Sequence, residues 1–75
     1  MPDLIRLQRM YSGTNVLFMK IVKITGSGMN ARKETVYDGW INNIPAANAV
    51  NTYKNSMIVS YHVNIKESKV TAYIV

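Results

Sequence analysis

No cysteine occurs anywhere in the 75 residues, so whatever this chain folds into is held by packing alone, without disulfides and without thiolate metal sites. A chain this short builds one core and not two, because half of it could not bury enough surface to stay folded, and the expectation is a single domain over residues 1–75. A domain of this size hides only about 60% of the surface its unfolded chain exposes. Small proteins of that kind depend on close packing or on self-association, which makes a homo-oligomer the expected state. The apolar share of 48% is ample for a core, and a net charge of +5 is too small to keep the chain disordered.

Turn signals at short intervals divide the chain into brief apolar runs, the pattern of a small all-β domain. The first run, Leu4 to Tyr11, ends at Ser12-Gly13-Thr14-Asn15 and is assigned as a strand. The second, Val16 to Thr25, is rich in β-branched residues and closes at Gly26-Ser27-Gly28-Met29-Asn30. A third run, Arg32 to Ile41, is less apolar, as an edge strand would be. Between Ile44 and Asn55 the period changes: Ala46, Ala49, Val50 and Tyr53 fall at helical spacing, with Asn43 placed to cap and Pro45 in the first turn. Met57 to Ile65 then alternates strictly, Met57, Val59, Tyr61, Val63 and Ile65 on one face against Ile58, Ser60, His62 and Asn64 on the other. After the turn Lys66-Glu67-Ser68-Lys69, the run Val70 to Val75 supplies a last strand.

The expected order is therefore β-β-β-α-β-β, mainly β with one short helix: a small five-stranded barrel or strongly twisted sheet. In element order alone it resembles the OB-like and SH3-like barrels, and the OB likeness implies that the face of strands two and three meets an oligonucleotide or oligosaccharide.

The N-terminal segment MPDLIRLQRM lacks the basic-then-apolar order of a secretory signal, which points to the cytoplasm. The longest apolar stretch, Val16 to Ile24, is nine residues with two lysines inside it, far short of a membrane-spanning helix, so no membrane partner is expected. The bias toward Asn, Lys, Ile and Tyr is what AT-rich genomes accumulate, those of many phages and mobile elements among them.

Catalysis needs partnered groups within hydrogen-bond reach, and the chain offers few. Its one histidine, His62, lies on the polar side of its strand, and the acids Asp3, Glu34, Asp38 and Glu67 are spread over different elements. Glu34 and Asp38, four apart in a strand, stand about 13 Å from each other, too far for a dyad or a metal pair. The expectation is a protein without catalytic residues, metal or cofactor. The Gly26-Ser27-Gly28 loop is read as a hairpin tip, since neither a helix nor a directly following lysine is there to complete a phosphate cradle.

What remains is a mixture of cations and rings in the second and third strands: Phe18, Lys20, Lys23, Arg32, Lys33, Tyr37 and Trp40. Single-stranded nucleic acid is held by such a mixture, cations along the phosphates and bases stacked on rings. The competing reading starts from the same strand. If Leu17, Met19 and Ile21 face the core, then Val16, Phe18, Lys20, Val22 and Ile24 face outward as an apolar strip, which suits a protein partner or a subunit contact, as in an inhibitor, adaptor or structural subunit. The apolar run at Val70 to Val75, without proline or inward charge, adds an apparent open edge for self-association.

Overall fold

The computed structural model describes all 75 residues, and the first element in it is a helix, α1 at Leu4–Tyr11, where a strand was expected. The local chemistry explains the difference. Leu4, Leu7 and Tyr11 recur at three- and four-residue steps, which on a helix is one face and on a strand is none. Asp3 caps the N-terminus, its Oδ1 accepting from the Arg6 N–H at 2.9 Å. At the other end the Ser12 N–H returns to the Gln8 carbonyl, and Gly13 follows at φ 81°, the left-handed residue with which helices commonly stop.

The rest of the chain runs β1 (Phe18–Thr25), a single 3₁₀ turn at Gly28–Asn30, β2 (Arg32–Trp40), α2 (Ile44–Thr52), β3 (Ile58–Asn64) and β4 (Lys69–Ile74). The order is thus α-β-β-α-β-β. Four strands, not five, form one open mixed sheet in the order β2-β1-β4-β3. It does not close, so the five-stranded barrel expected from element order, OB-like or SH3-like, is replaced by an open sheet with two helices. Two antiparallel hairpins, β1–β2 and β3–β4, meet in the middle through a parallel pairing of β1 with β4.

Alternation along the two central strands separates the faces. Met19 and Ile21 of β1 and Val70, Ala72 and Ile74 of β4 are fully buried with Leu4 and Leu7 of α1 and Ala46 and Val50 of α2. Both helices therefore cover one side of the sheet, and α2 begins where its sequence places it, with Asn43 Oδ1 accepting from the Ala46 N–H at 2.8 Å. The Gln8 side chain of α1 donates to the Ile41 carbonyl at 2.9 Å, tying that helix to the loop that starts α2.

β3 departs from simple alternation. Its register shifts between Ile58 and Ser60, leaving Val59 as a bulge. Ile58, Tyr61 and Val63 consequently pack toward the core, while Met57, Val59 and Ile65 of the expected apolar face are exposed. The run at Val70 to Val75 is not an open edge either, because β4 is paired on both sides. The true edges are β2, with exposed Arg32, Lys33 and Glu34, and β3, with its bulge. Charge and bulging both discourage the addition of another strand. No helix is long and apolar enough to cross a membrane.

The β3–β4 turn holds the one non-glycine residue with positive φ, Ser68 at 54°. A left-handed residue with a Cβ costs about 1–2 kcal/mol. Ser68→Gly is expected to raise stability by up to about 1 kcal/mol, read as a higher urea midpoint at unchanged slope; a lower midpoint would show that the serine side chain itself supports the turn.

Candidate functional site

The side of the sheet opposite the helices is uncovered, and the register determines which side chains share it. With Met19 and Ile21 turned inward, Phe18, Lys20, Val22 and Ile24 of β1 point outward. Across the sheet they stand in three rows: Trp40, Phe18, Lys69 and Asn64; then Asp38, Lys20, Thr71 and His62; then Thr35, Val22, Tyr73 and Ser60. Lys33, opposite Ile24, completes the face at the far end of β2.

A second bulge decides the membership of β2. The register slips between Ile21 and Val22, so that Tyr37 is opposite Ile21 but Thr35 is opposite Val22, with Val36 unpaired between them. In a regular strand Lys33, Thr35 and Tyr37 would share one face. The extra residue turns Lys33 and Thr35 to the open side and leaves Tyr37 on the helix side.

Contacts on the open face confirm this arrangement. The Phe18 and Trp40 rings pack at 4.8 Å between centroids, tilted by 36°. The Tyr73 and His62 rings lie 6.1 Å apart with their planes 27° from parallel, and the Lys33 ammonium reaches across β1 to stand 5.8 Å from the Tyr73 ring centre. Lys69 crosses in the opposite sense, its Nζ 3.1 Å from Asp38 Oδ1. Trp40 keeps 56% of its surface in water, whereas Val22 keeps only 6%. From Trp40 to Tyr73 is four residues along the strands and two strands across, about 16 Å. The face thus presents two aromatic clusters, at opposite corners, with lysines between and beside them.

Of the seven residues singled out in the sequence, Phe18, Lys20, Lys33 and Trp40 meet on this face. Lys23, Arg32 and Tyr37 do not. Lys23 points to the helix side, where its ammonium lies 5.9 Å from the ring of Tyr53 at the end of α2, and Arg32, opposite Thr25, shares that side at the end of β2. Tyr37 has a structural position: its hydroxyl donates to the Trp40 carbonyl and touches Asn43 Oδ1, linking the end of β2 to the cap of α2. Burial, aided by the negative charge of Asp38, raises the Tyr37 pKa above the usual phenol value against the opposing effect of its Asn43 contact. The ring of Tyr37 lies over Gly39, where an added Cβ would come within 2.9 Å of the phenol oxygen.

Tyr73, His62, Lys69 and Asp38 are the residues of the face that strand-by-strand reading did not assign to it. Tyr73 and His62 lie on the polar side of their own strands in the simple alternation, and what brings them and Lys69 beside Phe18 and Lys20 is the parallel pairing of β1 with β4; Asp38 stands opposite Lys20 through the antiparallel β1–β2 hairpin. No three of the chain's His, Asp and Glu side chains gather at one place. Comparison with known proteins finds no matching family model, no matching curated protein and no matching solved structure.

Proposed function

We propose that this protein binds single-stranded nucleic acid on the open face of its sheet and performs no chemistry on it. The observation that carries the reading is the gathering of two aromatic clusters, Phe18 with Trp40 and Tyr73 with His62, and three lysines against one acid on the single face that the helices leave bare. Unpaired bases can stack on such rings for about 1–3 kcal/mol each while ammonium groups follow the phosphates. A duplex keeps its bases inside its own stack and could use only the lysines. The alternative reading, a protein partner seated on an apolar strip, has less to offer on this face, because Val22 at the centre of that strip is only 6% exposed.

Asp38 gives the sharpest test. It is the one acid among the strand residues of the face and holds Lys69 at 3.1 Å; an exposed pair of this kind contributes only about 0–1 kcal/mol to stability, so its loss leaves the fold intact. Asp38→Asn is expected to tighten binding of a short mixed-sequence single strand several-fold in low salt. Freeing Lys69 for one more phosphate should steepen the slope of log affinity against log salt by about 0.7. Fluorescence anisotropy with a labelled oligonucleotide at several salt concentrations measures both. Absence of binding by the parent protein in low salt, or an unchanged affinity and slope in the variant, would remove this face as the site.

A further inference from the structure

A cavity of about 300 Å³ opens at the end of the sheet, between the loop from α1 to β1 and the loop from β2 to α2, lined by Thr14, Leu17, Trp40, Ile41, Asn42 and Asn43 among others. Trp40 belongs to both places: it packs on Phe18 at the corner of the open face and also forms part of the cavity wall. Anything extended along the open face toward that corner arrives at the cavity mouth.

The lining is suited to one planar heterocycle. Trp40, Leu17 and Ile41 supply apolar walls, and the volume stands at the lower end of the range for small-molecule pockets, room for a single ring system and little more. The polar groups are mostly committed already. Thr14 Oγ1 donates to the Tyr11 carbonyl and accepts from the Val16 N–H, and Asn43 Oδ1 accepts from the Ala46 N–H. Asn42 is exposed and its amide makes no hydrogen bond within the protein. A free amide offers a donor and an acceptor side by side, the pairing that the edge of a nucleobase can meet. Lys20 stands one row along the same face from Trp40, placing a cation on the approach where the adjoining phosphate would run.

We infer that this cavity receives the terminal base of a single strand lying on the open face, stacked against Trp40 and hydrogen-bonded by Asn42. The inference rests on the nucleic-acid reading above and adds to it an end-specific base site. It is tested with a labelled hexanucleotide, the same hexanucleotide made abasic at its 5′ end, and a third made abasic at its 3′ end, bound to the full chain. Trp40, the only tryptophan, reports occupancy through its fluorescence.

The expected result is that removing the base at one end, and not at the other, weakens binding tenfold or more and reduces the change in tryptophan emission. Leu17→Tyr, at a side chain already 46% exposed, should fill the cavity and lower the affinity of the intact strand to that of the sensitive abasic one, leaving the latter unchanged. Asn42→Ala should reduce the difference between the intact and abasic strands without touching the walls. Equal binding of all three strands by the parent protein overturns the cavity inference and leaves the open-face reading standing. Binding of none of them overturns both. Persistence of the end effect in both folded variants would show that the base lies somewhere other than in this cavity.

Discussion

Leu7→Ala is expected to destabilise the protein by about 2–5 kcal/mol, the cost of removing a fully enclosed leucine and leaving a cavity behind. Leu7 has no exposed surface and packs with Leu4, Ala46, Val50 and the inward residues of the central strands. For a chain of 75 residues the whole folding free energy is about 4–11 kcal/mol, so this one truncation should remove a large share of it. Urea unfolding followed by far-UV circular dichroism gives the result as a reduced midpoint. A shift of less than about 0.5 kcal/mol, the usual range for surface sites, would mean that α1 does not dock on the sheet. The point bears on function because α1 and α2 together keep one side of the sheet occupied, and only the other is left for a ligand.

The combined change Lys20→Glu and Lys33→Glu should abolish binding of single-stranded oligonucleotides. Two cations become two anions on a face that otherwise holds Lys69 and Asp38, reversing the sign of its charge, and each lost phosphate contact should flatten the salt dependence by about 0.7. Trp40→Ala acts on the other component: with more than half of its ring in water the residue is dispensable for the core, and loss of one stacking surface should weaken binding by about fivefold to a hundredfold. The control is Lys23→Glu with Arg32→Glu. It alters net charge by the same amount, but on the helix side, and at about 0.15 M salt, where screening acts over about 8 Å, it should leave affinity within about threefold. Equal damage from both pairs, read in the same anisotropy titration, would show that the chain attracts polyanions through overall charge and has no defined site on this face.

Several of these residues could be placed from local sequence and others could not. The second helix was legible because its signals are all local: Asn43 before Pro45, then apolar residues at helical steps. The first helix carries equally local signals, with Asp3 ahead of Leu4, Leu7 and Tyr11 and Gly13 behind; the even spacing of turns masks the three- and four-residue period inside the run and makes it resemble a strand. With that strand gone, the element order that suggested a closed barrel goes too. The outward set of β1, Phe18, Lys20, Val22 and Ile24, follows from alternation alone, given one inward residue such as Met19. The grouping of Lys33 with Tyr37 did not survive, because a single unpaired residue at Val36 inverts everything beyond it.

Alternation and capping act between residues a few positions apart, so the sequence by itself determined the four segments that are extended, where α2 begins, and which side chains stand together on an unbulged strand such as β1. Which strands become neighbours depends on burying the apolar sides of all six elements at once, a condition no segment contains. That condition pairs β1 with β4, about fifty residues later in the chain, and sets Lys69 and Tyr73 beside Phe18 and Val22. It also confines both helices to one side. The aromatic and basic face, and the cavity at its corner, exist only after that choice has been made.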